Sequence, residues 1–196
     1  MKIGIFGGAF NPPHKMHEDL AKELLNQGAI DKFIFVPVGD RYEKNERIAA
    51  DYRLEMVKII CDKNSNMELS DYECKNELVS TYMTLDYFKS LYPNDEIFFI
   101  CGTDNLIDFE NWARPDYILE NYKLLVVTRN NHDFEKIVKE KYYIYKDNII
   151  SANVKPRETS STQIRSLIKS GVGREELLKY LDENVIDYIE ENNLYK

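Results

Sequence analysis

The run Phe33-Ile34-Phe35-Val36-Pro37-Val38 offers no polar side chain on either alternate face. A strand of this kind must be covered on both sides, as helices cover the two faces of a parallel sheet. Ile3–Phe6, Glu96–Cys101, Leu124–Thr128 and Ile149–Val154 read the same way, and Met67–Tyr72 is a weaker strand candidate. Helix patterns separate them: His17–Gln27 with Leu20, Leu24 and Leu25 ending at Gly28, then Asp51–Cys61, Tyr82–Leu91 before Pro93, the short Asp116–Glu120, and Phe134–Lys141. Ser161–Lys169 and Glu175–Glu191 close the chain. This order predicts an α/β doubly wound parallel sheet with C-terminal helices. Ligands in such sheets sit at the carboxyl ends of the strands, so the loops after the first and fourth strands are the places to look. With 196 residues, one domain over 1–196 is expected, its helical part spanning 160–196.

Charge narrows the partners. The formal net charge is −8, which argues against a general nucleic-acid binder. Half of it lies from Arg174 onward, where seven acidic side chains face three basic ones. The acidic total therefore does not bear on a small anion held by a few local donors. No apolar stretch approaches the roughly 18–20 residues of a membrane span, and the first residues are too short and glycine-rich for a signal peptide. Cys61, Cys74 and Cys101 are odd in number and lie at no metal-ligand spacing. A reduced, cytoplasmic setting is the expectation. The last helix pattern is amphipathic, with Leu177, Leu181, Val185 and Ile189 near one face. That face packs on the domain or forms a homo-oligomer contact.

The most informative segment is Gly4-Ile5-Phe6-Gly7-Gly8-Ala9-Phe10-Asn11-Pro12-Pro13-His14-Lys15-Met16-His17. Gly7 and Gly8 permit a tight turn or a close ligand, and the prolines suit a helix start. His14 and His17, three apart, share a face at a helix N-terminus, where free N–H groups favour anions. An imidazole there can stabilise charge on phosphate. A plain turn, surface histidines or a metal-binding pair are the alternatives. The segment is neither a Walker loop nor a G-x-G-x-x-G fingerprint.

This segment resembles the G-[GS]-x-F-[DN]-P-x-[HT]-x-x-H signature of the nucleotidyltransferase superfamily related to class I aminoacyl-tRNA synthetases. From Gly4 to Leu167 the chain is similar to nicotinate or nicotinamide mononucleotide adenylyltransferases. Glu158-Thr159-Ser160-Ser161-Thr162-Gln163-Ile164-Arg165 is the second strong match, to I-S-S-T-x-I-R, with Thr159 replacing isoleucine. Hydroxyls here would cap the helix, and with Arg165 could also clamp a triphosphate. Val36-Pro37-Val38-Gly39-Asp40-Arg41-Tyr42-Glu43-Lys44, followed by Arg53-Leu54-Glu55-Met56, resembles the eukaryotic-type PVxDxYxK…RxxM stretch.

The resemblance implies roles. Gly8, Ala9, Phe10, Gly102, Asp104, Ser160, Ser161 and Thr162 would hold ATP together with His17 and Arg165. Asp104, in the match to G-[AT]-D, would take the adenosine ribose. Tyr42, Thr84, Trp112 and Arg129 would surround the mononucleotide, with Trp112 against the pyridine ring. His14, His17, Lys44 and Arg165 would carry catalysis. No side-chain metal site is implied; Mg²⁺ would ride on phosphate oxygens and water. The small-molecule substrates would be ATP and a pyridine mononucleotide, with no nucleic acid or membrane partner. Ala9 stands where many relatives carry Thr or Ser, Asn11 replaces the bacterial Asp, and the bacterial PPHK loop is absent. Nicotinate and nicotinamide both stay open on these residues. The implied reaction is adenylyl transfer from ATP, releasing pyrophosphate. Another superfamily transferase, such as a pantetheine-phosphate adenylyltransferase or a cytidylyltransferase, is the alternative, followed by a non-catalytic nucleotide-binding regulator.

Overall fold

A computed structural model describes residues 1–40, 47–76, 78–128, 133–152, 154 and 159–196. Six strands, β1 (Lys2–Gly8), β2 (Lys32–Pro37), β3 (Met67–Leu69), β4 (Glu96–Gly102), β5 (Lys123–Val127) and β6 (Ile149–Ala152), form one sheet in the order β3-β2-β1-β4-β5-β6. Every pairing is parallel. The weak strand candidate is the short edge strand β3.

Strict alternation along each strand feeds two cores. Phe33, Phe35, Phe98, Ile100, Leu125 and Val127 point to one face. There they meet α1 (Lys15–Asn26), α2 (Ala50–Cys61), α8 (Ser161–Lys169), α9 (Arg174–Leu177) and α10 (Glu183–Glu191). Ile34, Val36, Phe99, Cys101, Leu124 and Val126 point to the other face. That face is covered by α4 (Thr81–Leu91), α5 (Thr103–Asp108), α6 (Pro115–Asn121) and α7 (Phe134–Lys141). Because successive residues of a strand face opposite ways, a continuously apolar run fills both layers.

Three departures from the sequence expectation have local causes. The Pro12-Pro13 pair does not begin α1; His14 is its N-cap and the prolines lie before it. The Glu175–Glu191 helix is broken between α9 and α10. The Tyr180 carbonyl accepts the Lys15 N–H at 2.8 Å, while Asp182 restarts the helix by accepting the Asn184 N–H at 3.0 Å. Four short elements also stand in predicted loops: α3 (Tyr72–Lys75), α5, and 3₁₀ turns at Phe109–Asn111 and Tyr143–Asn148. They are too short for a periodic signal.

No helix among the described residues is long and apolar enough to cross a membrane.

The strand order reverses between β1 and β4. Here β1 follows β2 to the pair Gly8↔Pro37 but follows β4 only to Ile5↔Phe99. The sheet therefore opens at the carboxyl ends of β1 and β4, the topological switch point of an open α/β sheet.

Candidate active site

The loop leaving β1 is set by packing. Phe10 adopts a left-handed backbone, φ 47°, and its buried ring meets Phe6, Phe35 and His17. A Cβ on Gly8 would stand 3.1 Å from that ring, so glycine lets the loop fold over its own strand. The Phe10 ring thus serves as a core anchor.

His14 is 2% exposed and stacks on half-buried His17, ring centroids 3.7 Å apart. The His14 N–H donates to His17 Nδ1 at 3.1 Å. With Nδ1 accepting, the neutral His17 ring carries its proton on Nε2 and presents a donor there. The pair sits on the first turn of α1, whose N–H groups and dipole favour an anion.

The start of α8 is bound to this loop. Ser161 Oγ donates to the Pro12 carbonyl at 2.9 Å, and Arg165 Nη1 donates to the Asn11 carbonyl at 2.9 Å. Arg165 Nη2 reaches Thr162 Oγ1 at 3.3 Å, and Ser160 Oγ caps the helix by accepting the Gln163 N–H. The hydroxyls therefore do the capping and bracing that the sequence offered as their plain role. The same bonds tie a second helix N-terminus and its guanidinium to the loop that carries the histidine pair.

A family model described as cytidylyltransferase-like matches residues 5–167, which contain every one of these groups. The chain belongs to the cytidylyltransferase-like family. Relatives agree over the full length. A curated protein of Endomicrobium trichonymphae, named "Probable nicotinate-nucleotide adenylyltransferase", is 36% identical, covering 100% of this chain and 99% of its own. A protein of the same name from Clostridium botulinum (strain Alaska E43 / Type E3) is 39% identical, covering 100% and 98%. Among solved structures, Plasmodium falciparum nicotinic acid mononucleotide adenylyltransferase complexed with NaAD has a TM-score of 0.84 at 25% identity, covering 99% of this chain and 97% of that one.

In this cytidylyltransferase-like chain the other expected residues fall into three groups. Gly102 ends β4 and is the N-cap of α5, and Asp104 is exposed in its first turn, at the open end of the sheet. Trp112 is half-buried, edge-on to Phe99 at 5.7 Å and tilted over Phe109 at 5.0 Å. It is thus partly a core residue, with the remainder of its ring accessible. Thr84 is 3% exposed, and its hydroxyl donates to Glu73 Oε1 at 2.6 Å. Tyr42, Lys44 and Arg129 lie outside the described residues.

Two residues matter more than their sequence signal suggested. Arg53, quoted above only within a motif, is fully buried. Its guanidinium donates to the carbonyls of Ile48 at 3.1 Å, Ala9 at 2.9 Å and Val38 at 2.8 Å, and to Asp40 Oδ1 at 2.8 Å. It therefore joins the loop after β1 to the loop after β2. Burial opposes ionisation of Asp40, but the Ala50 N–H and Arg53 hold its carboxyl below the ordinary range. Asn11, 4% exposed, is the other; its side-chain oxygen accepts from Tyr195 at 2.9 Å and from the Ile48 N–H at 3.4 Å. An arginine inside a helical pattern and an asparagine in a loop give no sequence sign of burial, because their partners are distant in the chain.

Proposed function

We propose that this chain transfers the adenylyl group of ATP to nicotinate mononucleotide, forming the dinucleotide and pyrophosphate in NAD biosynthesis. The observation that carries this reading is the stacked His14–His17 pair on one helix N-terminus, braced to the Arg165-bearing start of a second at the switch point of the sheet. Family membership and the names of the full-length relatives support the reaction and favour nicotinate over nicotinamide.

A phosphate oxygen of the mononucleotide attacks the α-phosphorus of ATP, the bond to the β-phosphate oxygen breaks, and its electron pair leaves with pyrophosphate. The nucleophile is already ionised at neutral pH, so no general base is needed. Catalysis is then positioning and charge stabilisation. His17 donates to the α-phosphoryl through Nε2–H, with His14 packed beneath it. Arg165, with Ser160, Ser161, Thr162 and the N–H groups of α8, takes the outer phosphates, joined by Lys44. The main chain of Gly8, Ala9 and Phe10 lines the triphosphate. Gly102 and Asp104 take the adenosine ribose, and Trp112 lies against the pyridine ring, flanked by Tyr42 and Arg129.

Among the described residues no group of three or more His, Cys, Asp or Glu side chains could hold a metal ion. Mg²⁺, carried in on the substrate's phosphate oxygens and water, would supply charge neutralisation at the leaving pyrophosphate. We place the reaction in the cytoplasm and assign it to one domain, residues 1–196.

Pyrophosphate release measured with Mg·ATP and each mononucleotide tests the reading. Turnover with nicotinate mononucleotide exceeding that with nicotinamide mononucleotide is expected. Preference for phosphopantetheine, or for CTP over ATP, would assign the chain to another branch of the family. In the same assay Lys44→Ala should raise the KM for ATP, and an unchanged KM removes Lys44 from the clamp.

A further inference from the structure

Tyr195 lies far along the sequence from every group placed in the site, yet it reaches the loop that carries the histidines. Its ring is 8% exposed and its hydroxyl donates to the buried Asn11 side chain at 2.9 Å. The Asn11 main-chain carbonyl accepts from Arg165 Nη1 at 2.9 Å. One residue on, the Pro12 carbonyl receives Ser161. The same C-terminal segment holds the other end of the loop, where Lys15 donates through its N–H to the Tyr180 carbonyl and through Nζ to the Leu178 carbonyl. His14, the N-cap of α1, lies between these two attachments.

The backbone around Tyr195 is shaped for this contact. Asn193 and Tyr195 both take positive φ, 52° and 63°. Side-chain-bearing residues adopt that region at a cost, and keep it where surrounding contacts over-determine them. Those contacts are the burial of Leu194 and Tyr195 and the hydroxyl bond to Asn11.

We propose that Tyr195 is a positioning residue for adenylyl transfer. Its hydroxyl fixes the Asn11 amide, and through Asn11 it holds the histidine loop and the Arg165 guanidinium in one relative geometry. The proposal rests on the adenylyl-transfer reading above. Small displacements of positioned groups are costly to a reaction that depends on alignment, so loss of this bond falls on turnover more than on folding.

The test compares the full chain with Tyr195→Phe, which keeps the ring and removes the hydroxyl. Asn148→Ala serves as the control, because it removes a bond to the Leu119 carbonyl at the amino end of β6, away from Asn11 and the C-terminal helices. Y195F should lower kcat about tenfold, the effect of roughly one hydrogen bond, with the KM for the mononucleotide unchanged. N148A should lower Tm with kcat unchanged. Equal kcat in Y195F and parent overturns the proposal, and so does a kcat loss in N148A as large as that in Y195F. Equilibrium binding of a non-hydrolysable ATP analogue reads the same loop without turnover. Severalfold weaker binding to Y195F is expected, and equal affinity overturns the proposal. An inactive parent would sink the adenylyl-transfer reading, while the binding measurement still decides the role of Tyr195.

Discussion

His17 accepts the His14 N–H on Nδ1 and so keeps Nε2–H as a donor. Removing that donor should cost transition-state stabilisation and little else, because the ring is half-buried and the loop is held by other bonds. His17→Ala is expected to cut kcat by about 10²–10³-fold, the size found for a lost oxyanion-type donor, with Tm almost unmoved. Steady-state kinetics beside a thermal melt checks this; near-parental kcat would remove His17 from the reaction. Phe10 and Thr84 show the other side of residue-scale reading. Both side chains are buried, the Phe10 ring among core aromatics and the Thr84 hydroxyl against Glu73. A motif shows which residue types stand at a position, and it does not show whether the side chain or the main chain faces the ligand.

At the scale of elements, the two proposed anion sites are helix starts, and their relative placement depends on how α8, α9 and α10 pack on the sheet face that also carries α1 and α2. The break between α9 and α10 serves that packing. A continuous helix would direct the Tyr180 carbonyl along its own axis, whereas here it meets Lys15 at the start of α1. Asp182 restarts the helix by capping Asn184 and pairs with Lys63. Asp182→Ala should therefore lower stability by about 1 kcal/mol, the usual worth of an N-cap. Urea unfolding would read this as a lower midpoint at constant slope. A similar constraint acts between β2 and α3: a Cβ on Gly39 would lie 2.4 Å from the Glu73 carbonyl oxygen, so glycine lets the loop after β2 pass against that short helix.

For the whole molecule, Glu73 couples this packing to pH. Burial pushes its carboxyl up to about 6 from 4.5, partly offset by the Thr84 hydroxyl that donates to it. A raised carboxyl pKa means that the fold favours the neutral form. The stability tied to that form is fully present below pH 4.5 and is lost as pH rises through about 6. Glu73→Gln cannot ionise and keeps an acceptor for Thr84. Its unfolding free energy relative to the parent should rise by about 2 kcal/mol between pH 4 and pH 7.5, the equivalent of the shift. A flat difference across denaturant melts at the two pH values would show that Glu73 does not titrate this way. Most of the sheet was legible from the continuously apolar runs, since local hydrophobicity alone demands cover on both faces. The histidine loop and the Ser160–Arg165 segment were legible as motifs, because each is contiguous in the chain. Asn11, Arg53 and Tyr195 were not, since their importance comes from partners as much as 184 residues away. The sequence by itself determined a parallel α/β sheet with two anion-favouring helix starts. Only the tertiary structure decided that these starts share one opening, braced by buried polar groups. A buried donor or acceptor must find its partner wherever the fold brings one, and spacing along the chain carries no record of that partner.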